Sequence, residues 1–325
     1  MPTTRVAVLD DYQRRASGFA DWASLGPGVD VVFFHDRIDP AALAETLADF
    51  DVLVLMRERS RFGRPVLERL PRLRLLVTTG IRNAAVDDAY LREAGVVYCG
   101  TGHPAGVPMP GVPSTAEVAW ALILAVSKRV TVEDRAMRAG NWQLDLPVNL
   151  AGATLGLAGL GHLGSAMTGP ARAFGMDVIA WSENLTDERA AAVGARRVAK
   201  SELLSAADVL SIHLVLSDRT RGLFQAADLA MMKPTAVLIN TSRGPIVDED
   251  ALVAALRDGT IGGAGLDVYD TEPLPPGHPL TTLDNVVLLP HLGYVSEAAF
   301  RQMYGQAVED IAAFLAGSPI RTISS

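Results

Sequence analysis

Short apolar runs rich in β-branched residues alternate with helix-like segments along most of this chain, and no other feature limits its possible folds as strongly. Such alternation predicts βαβ units, in which parallel strands form a sheet covered by helices. The alternation stops after the first hundred residues and restarts at Thr154. The predicted strands are Val6–Leu9, Val29–Phe34, Val52–Met56, Leu73–Thr78, Val96–Cys99, Thr154–Ala158, Asp177–Trp181, Val209–His213, Ala236–Asn240, Gly262–Asp267 and Asn285–Leu289.

A segment rich in Pro and Gly separates the two series. Thr101–Pro113 contains four prolines and three glycines, which is typical of a linker and predicts a domain boundary. A chain of 325 residues is also near the size limit of one hydrophobic core, which favours two domains. One helix is predicted from Ser114 to about Arg129, with Ser114 and Glu117 in capping-box spacing, and another from about Ser296 to Leu315.

The composition limits the partners. With 29 Lys+Arg against 37 Asp+Glu the formal net charge is −8, so attraction to nucleic acid or to an anionic membrane is not expected. Cys99 is the single cysteine, which excludes an intrachain disulfide and fits a reducing compartment. The longest apolar run, Val118–Val126, is too short to span a bilayer, and the six histidines show no metal-ligand spacing. We therefore expect a cytoplasmic protein without a membrane segment or a metal site.

Three glycines follow the predicted strand Thr154–Ala158 in the pattern Gly159-x-Gly161-x-x-Gly164, and a helical pattern begins there. Glycines at this spacing allow a tight turn, a close approach of the backbone to a pyrophosphate, and close packing of the helix on the strand. The helix N-terminus then offers N–H donors to the anion. The motif predicts a dinucleotide site, although Pro170 is expected to kink this helix or to end it early.

The residue after the next strand bears on the choice of cofactor. An acidic side chain there would bind the adenosine ribose of NAD, but this chain has Ser182, followed by Glu183. Ser182 leaves room for the 2′-phosphate of NADP. The nearest following cation is Arg189, however, and Glu183 would repel a phosphate. NAD is therefore favoured, and NADP is not excluded.

Three further segments place reactive side chains directly after predicted strands. Arg243 lies in Asn240–Asp248, Asp267 and Glu272 lie in Gly265–Pro273, and His291 follows the last strand. Because the carboxyl ends of parallel strands form one edge of a sheet, these side chains are expected at the same edge as the glycine turn.

Together these motifs resemble the D-isomer-specific 2-hydroxyacid dehydrogenases, a family that includes phosphoglycerate, D-lactate and glyoxylate/hydroxypyruvate enzymes. The resemblance covers nearly the whole chain. It is carried by Gly159-x-Gly161-x-x-Gly164, Asn240-x-x-Arg-Gly-x-x-Val-Asp248, Gly265-Leu-Asp-Val-Tyr-x-x-Glu-Pro273, Pro290-His-x-Gly293, Thr79-Gly-Ile-Arg-Asn83 and Ala116-Glu117.

The resemblance implies two Rossmann-like, doubly wound α/β domains. Residues 1–100 and 296–325 would form a flavodoxin-like, discontinuous substrate domain, and residues 101–295 an NAD(P)-binding Rossmann domain. The expected activity is the interconversion of a 2-oxo acid and a D-2-hydroxy acid by hydride transfer. A homodimer is also implied, with the helix from Ser114 and its neighbouring loop at the interface.

The resemblance assigns catalysis to Arg243, Glu272 and His291. Arg243 can hold the substrate carboxylate and carbonyl oxygen with its planar guanidinium. His291 can donate and accept the proton, and Glu272 would accept a hydrogen bond from its other ring nitrogen. Asp267 would contact the nicotinamide carboxamide. The cofactor would be bound by Gly159, Gly161, His162, Leu163, Gly164, Ser182, Leu214, Val215, Thr220, Thr241, Ser242, Asp267 and Gly293, and the substrate by Arg57, Thr79, Gly80, Ile81, Arg243 and His291.

Some alternatives stay open. The cluster of Arg57, Arg59 and Arg61 fits either an exposed polar loop or a loop that recognises an anionic or polar substrate tail. The intact motifs also fit a nucleotide-sensing protein that resembles a corepressor. Formate oxidation is disfavoured, because formate enzymes have Gln at the position of Glu272. His213, at the end of a predicted strand, is expected to be structural.

Overall fold

The computed structural model describes residues 3–102 and 113–323. The chain divides into two compact units, Met1–Pro108 with Ser296–Ser325, and Met109–Val295. Most of the predicted linker falls in 103–112, outside the described residues.

The first unit is built on a five-stranded parallel sheet in its described part, with the order β2-β1-β3-β4-β5. This is the doubly wound order of flavodoxin-like domains, as predicted. Buried Val and Leu residues fill β3 and β4, as expected of strands covered on both faces. The elements are β1 (Thr4–Val8), α1 (Ala16–Phe19), β2 (Val29–Phe33), α2 (Leu43–Leu47), β3 (Val52–Leu55), α3 (Arg64–Leu67), β4 (Leu75–Thr78), α4 (Asp88–Glu93) and β5 (Val97–Gly100).

The second unit contains a seven-stranded parallel sheet within residues 113–295, in the order β12-β11-β10-β9-β6-β7-β8. Counted from its own first strand this is the Rossmann order 3-2-1-4-5-6 with one more strand, so the predicted fold class is confirmed for both units. The elements are α5 (Ser114–Ser127), α6 (Val130–Arg138), β6 (Thr154–Ala158), α7 (His162–Ala173), β7 (Asp177–Trp181), α8 (Asp187–Ala192), β8 (Arg196–Arg197), α9 (Lys200–Ala206), β9 (Val209–Ile212), α10 (Ala226–Leu229), β10 (Val237–Asn240), α11 (Glu249–Arg257), β11 (Gly263–Leu266) and β12 (Val286–Leu288).

Helices cover both faces of the second sheet. On one face Leu155 and Leu157 pack with Ala119 and Ile123 of α5 and with Met167 of α7. The other face packs against α9, α10 and α11. Since successive residues of a strand point to opposite faces of the sheet, each strand contributes side chains to the packing on both faces.

The last helix, α12 (Glu297–Leu315), belongs to the first unit. Ser296 caps it, because its hydroxyl accepts a hydrogen bond from Ala299 N–H at 3.3 Å. Beyond it the chain pairs antiparallel with β5, through a bridge between Thr322 and Cys99. Arg321 anchors this pairing with a 2.9 Å bond to Asp310 of α12. The end of the chain therefore extends the first sheet.

The expected side-chain cap of α5 is wrong, and so is the expected early end of α7. Ser114 does not cap α5: it is the first helical residue, and the carbonyl of Pro113 accepts the N–H groups of Ala116 and Glu117. The residue that precedes the helix is Pro113, and its ring fixes an extended backbone there. The helix therefore begins without a side-chain cap. Pro170 does not end α7 early, since the helix continues to Ala173; it lies in the last turn, where only one hydrogen bond is lost.

Among the described residues, none of the helices has the length and apolar content needed to cross a membrane. The same part of the chain holds no group of three His, Cys, Asp or Glu side chains placed to bind a metal ion.

Candidate functional site

The predicted site residues of the second unit follow six neighbouring strands. From one edge of the sheet inwards, His291 follows β12, Asp267 and Glu272 follow β11, and Arg243 follows β10. The series continues with Leu214 and Val215 after β9, Gly159–Gly164 after β6, and Ser182 after β7. Because all these strands are parallel, one edge of one sheet carries the whole series.

The glycine turn between β6 and α7 requires its glycines. Gly159 has φ +97°, a region that L-residues rarely adopt. A Cβ on Gly164 would collide with the carbonyl oxygen of Gly159, so helix and strand approach more closely than any side chain allows. A Cβ on Gly161 would meet nothing within 4 Å, which leaves its backbone open to a ligand. The N–H groups of His162 and Leu163 begin α7 without helical acceptors.

Two buried polar atoms at this edge of the sheet have no hydrogen-bond partner among the described residues. They are Thr241 Oγ1 and His213 Nδ1. Buried polar atoms are normally paired, so an unpaired hydroxyl at a ligand-binding edge indicates a ligand atom. For His213 the other nitrogen, Nε2, lies 2.9 Å from Ser211 Oγ, and burial lowers its pKa to about 4. Its ring is therefore neutral and lies against the sheet beside Gly164, as expected of a structural histidine.

Of the other residues predicted to contact the cofactor, some have exposed side chains and others already form hydrogen bonds within the protein. The side chain of Val215 is 83% exposed, whereas the Thr220 hydroxyl already donates to the Val215 carbonyl at 2.7 Å. The Ser242 hydroxyl donates to Ile212 O at 2.8 Å and so ties the end of β10 to that of β9. The hydroxyls of Thr220 and Ser242 thus shape the loops that border the turn.

His291 and Glu272 form the tightest side-chain pair at this edge. His291 Nδ1 lies 2.6 Å from Glu272 Oε2, with both side chains about a third exposed or less. Glu272 is oriented in turn by the Tyr269 N–H, which donates to Oε1 at 3.0 Å. The buried Tyr269 hydroxyl lies 2.8 Å from Leu289 O and joins the loops after β11 and β12. Sequence reasoning missed this tyrosine, although it lies within the Gly265–Pro273 motif.

Asp267 holds the backbone that carries His291. Its side chain is 1% exposed, and its two oxygens accept the N–H groups of Leu292 at 2.6 Å and Gly293 at 2.8 Å. Burial raises the pKa of Asp267, while these two hydrogen bonds act to lower it. The Thr115 hydroxyl also donates to Gly293 O at 2.8 Å. No local pattern could indicate Thr115, because it is remote in sequence from its partner.

Arg243 lies in a turn whose backbone is held by hydrogen bonds and by close packing. The Asn240 side chain accepts the Ser242 N–H and donates to the Arg243 carbonyl, both at 3.0 Å. The next residue, Gly244, lies so close to the Tyr269 backbone that a Cβ would collide with it. The Arg243 side chain donates to Ser242 O at 2.7 Å. The loops after β10 and β11 therefore constrain each other.

In the first unit, the predicted substrate residues lie at the carboxyl ends of β3 and β4. Thr79 is buried, and its hydroxyl accepts the Arg57 N–H at 2.8 Å. The N–H groups of Thr79 and Gly80 donate within the unit, to Leu55 O at 2.9 Å and to Thr101 Oγ1 at 3.1 Å. The Ile81 side chain is 58% exposed. Arg57, Thr79, Gly80 and Ile81 thus lie together, although the N–H groups of Thr79 and Gly80 already have acceptors.

Comparison with known proteins identifies the family of this chain. The family model described as "D-isomer specific 2-hydroxyacid dehydrogenase, NAD binding domain" matches residues 120–293. The glyoxylate reductase of Aeropyrum pernix is 40% identical over 263 residues, covering 78% of this chain and 76% of that protein. The glyoxylate reductase of Korarchaeum cryptofilum is 34% identical over 294 residues, covering 87% and 86%. The crystal structure of a phosphoglycerate oxidoreductase from Vibrio cholerae superposes with a TM-score of 0.89 at 35% identity, covering 97% of this chain and 100% of that one. In sequence and in fold, the chain belongs to the D-isomer specific 2-hydroxyacid dehydrogenase family.

Proposed function

We propose that Arg243, Glu272 and His291 are the catalytic residues of this oxidoreductase. The chain interconverts a 2-oxo acid and a D-2-hydroxy acid by hydride transfer and uses a nicotinamide cofactor. The observation that carries the assignment of roles is the 2.6 Å contact between His291 Nδ1 and Glu272 Oε2, on the sheet edge that also bears Arg243 and the glycine turn.

Proton transfer falls to His291. Reduction adds a hydride to the carbonyl carbon and a proton to its oxygen. With Nδ1 held by Glu272, the ring leaves Nε2 to donate this proton and, in the reverse direction, to take it up. The carboxylate stabilises the imidazolium and fixes the ring orientation by a charge-assisted hydrogen bond.

Arg243 is suited to bind the substrate. A guanidinium presents parallel N–H donors, which can bind a carboxylate in two places at once and polarise a neighbouring carbonyl. Polarising the carbonyl stabilises negative charge that develops on its oxygen during reduction. The constrained turn around Gly244 holds the Arg243 backbone, and this limits how far the guanidinium can shift.

The residues of the glycine turn fit a dinucleotide. Gly161 leaves open space, the N–H groups of His162 and Leu163 can bind the pyrophosphate, and the unpartnered Thr241 Oγ1 offers a polar contact. When bound, the nicotinamide supplies or accepts the hydride. Asp267 would keep its two backbone bonds when the cofactor binds.

For the cofactor we favour NAD over NADP. Ser182 and the exposed Glu183 follow β7. The fold also brings two cations beside β7 that the sequence reading missed, since Arg196 and Arg197 form β8. Arg196 is paired with Glu202 at 2.8 Å, and Arg197 lies 3.8 Å from Asp187. These carboxylates and Glu183 disfavour a 2′-phosphate, so we expect a lower KM for NADH than for NADPH.

A second copy of this chain is the proposed partner. The segment formed by α6 and the residues up to 148 exposes six large apolar side chains, and exposed apolar patches often mark protein–protein contacts. Trp142 is 73% exposed, although large aromatic side chains generally gain stability by burial. Replacing Trp142 with Arg is expected to convert dimer to monomer in light scattering, and a wild-type monomer would contradict the proposal. The other large exposed apolar side chains of this segment are Val130, Met137, Leu144, Leu146 and Val148.

The cytoplasmic location stays a prediction.

The function is tested by steady-state kinetics with a matched pair of histidine variants. NADH and NADPH are assayed against glyoxylate, pyruvate and hydroxypyruvate. His291→Asn should lower kcat by about a hundredfold or more, with NADH binding retained. His278→Asn is the control, because His278 also pairs with a glutamate, Glu249, at 3.1 Å in the same unit. Near-normal turnover by His291→Asn would show that the roles are misassigned, and wild-type protein inactive with every 2-oxo acid would favour a nucleotide-sensing function.

A further inference from the structure

The pairing of β12 with β11 ends before the chain reaches His291. The last pair of the ladder is Leu266 with Leu288. One further main-chain bond follows, from the Leu289 N–H to Leu266 O at 2.8 Å. The next residue is Pro290, which has no N–H to donate. Regular pairing therefore stops two residues before His291, at the point where the chain leaves the sheet.

The hydroxyl of Tyr269 binds the chain where the ladder ends. It donates to Leu289 O at 2.8 Å, and Leu266 O lies 3.2 Å from the same hydroxyl oxygen. The Tyr269 side chain is 6% exposed, and burial raises the pKa of its hydroxyl, which therefore stays protonated and remains a donor. An acceptor that loses its donor in such surroundings costs free energy. This bond therefore holds the carbonyl group two residues before His291.

Tyr269 is itself held on three sides. Its ring lies in the hydrophobic core on one face of the second sheet. Its backbone carbonyl lies so close to Gly244 that a Cβ on that glycine would collide with it. Its N–H donates to Glu272 Oε1 at 3.0 Å. Because the ring and the backbone can both move little, the hydroxyl has a defined position in the loop after β11.

We propose that Tyr269 is a positioning residue, whose hydroxyl sets where the imidazole of His291 lies relative to the Glu272 carboxylate. The inference rests on the proposed function. One residue then acts on both members of the pair, since its N–H orients the carboxylate and its hydroxyl holds the chain that carries the ring. The contact between His291 Nδ1 and Glu272 Oε2 is 2.6 Å, and hydrogen bonds weaken as their length and angle depart from the optimum. A shifted chain would also displace Nε2 from the carbonyl oxygen that it protonates.

The kinetic test uses Tyr269→Phe, which removes the hydroxyl and keeps the ring and the N–H. The rate of NADH oxidation is measured in single turnovers with glyoxylate, pyruvate and hydroxypyruvate, so that product release does not mask the chemical step. This rate should fall by about fivefold, because the imidazole leaves its productive position. The KM for NADH should stay constant, because the glycine turn after β6 is unchanged.

Tyr98→Phe is the matched control. Tyr98 lies in β5 of the first unit and is also buried, but its hydroxyl has no hydrogen-bond partner among the described residues. The variant therefore removes a buried tyrosine hydroxyl without breaking a hydrogen bond. Its single-turnover rate should equal that of the wild-type protein.

The proton on His291 Nδ1 gives a second readout, which a merely structural role of Tyr269 would not move. In protein labelled with ¹⁵N-histidine, a proton in a short hydrogen bond to a carboxylate resonates far downfield, and its signal is assigned by its absence in His291→Asn. Tyr269→Phe should move this signal upfield, because the contact with Glu272 weakens. The signal of His278, whose Nε2 lies 3.1 Å from Glu249, should not move and serves as the internal control.

The possible results separate the inference from the proposed function. A wild-type rate in Tyr269→Phe, or an unmoved His291 signal, would overturn the inference and leave the proposed function intact. An equal loss of rate in Tyr98→Phe would also overturn it, because any buried hydroxyl would then have the same effect. Wild-type protein that reduces none of the three 2-oxo acids would instead reject the proposed function, and the inference with it.

Discussion

Asp267 provides the sharpest test of how the fold positions the catalytic histidine. Its buried carboxylate accepts the N–H groups of Leu292 and Gly293, the two residues directly after His291. His291 itself has φ +55°, a conformation that is uncommon outside glycine and persists only when its surroundings impose it. Asp267 is therefore a positioning residue for the loop that carries His291, and its removal should displace the imidazole without touching it.

The size of the effect follows from the two hydrogen bonds. Breaking a buried hydrogen bond to a charged group costs about 1.5–3 kcal/mol, so Asp267→Ala should lower the free energy of unfolding by about 3–6 kcal/mol. Asp267→Asn keeps the shape of the side chain and one oxygen acceptor, but its NH₂ group then faces the second backbone N–H. The free energy of unfolding should fall by about 2–3 kcal/mol. A displaced imidazole should lower kcat at least about tenfold in both variants.

The assay combines urea unfolding with hydrogen exchange. Because the two units can unfold separately, a single midpoint does not report on the second unit alone. Exchange of the Leu292 and Gly293 amides reports directly on the bonds to Asp267. Asp134→Asn serves as the control, since Asp134 is exposed and pairs with Arg138 of the same helix at 2.9 Å. Unchanged protection of these two amides in Asp267→Ala, or a wild-type kcat, would refute the reasoning.

Three further expectations concern single side chains. Arg243→Lys should chiefly raise KM for the 2-oxo acid, by about tenfold, and also slow turnover, because a point charge cannot replace two parallel donors; an unchanged KM would contradict this. Glu272→Gln keeps a hydrogen-bonding group beside His291 but removes the charge, so kcat should fall by about tenfold while KM for NADH stays constant. The pKa of His213 is lowered from 6.5 to about 4 in the folded protein, so the unfolded chain takes up a proton at a higher pH than the folded chain does. The stability that His213 contributes is therefore fully present above pH 6.5 and is lost as the pH falls towards 4. The total loss in the free energy of unfolding is about 3 kcal/mol. The free energy of unfolding of wild-type protein should therefore fall relative to that of His213→Asn between pH 7 and 5, and parallel pH profiles would show that burial does not set this pKa.

Much of the fold could be predicted from short-range patterns. The strands Thr154–Ala158 and Asp177–Trp181 have the predicted bounds, because continuous apolar runs between turn residues are a local signal. β8 was not predicted, since it consists of the two exposed arginines Arg196 and Arg197. Only pairing with β7 makes them a strand, and that pairing depends on a contact between residues distant in sequence.

The candidate site shows the same division. The motifs place Arg243, Glu272 and His291 at strand ends, and their roles stay predictions. The sequence could not show that Tyr269 orients Glu272, or that Thr115 binds the Gly293 carbonyl. These contacts join separate loops, and a loop acquires such partners only when the strands beneath it are ordered in a sheet.

The arginines after β3 show most clearly which properties the sequence determines and which depend on the fold. By itself the sequence determined the class of fold and the edge of each sheet where chemistry can occur, because apolar runs, glycine spacing and strand-end residues are local properties of the chain. It left open whether Arg57 and Arg59 attract an anionic tail. Tertiary structure decided which groups of the first unit lie around Arg59, because the order of β1 and β3 brings Asp10 and Tyr12 to it. The groups that surround a charged side chain come from segments distant in sequence, so these contacts exist only in the folded chain.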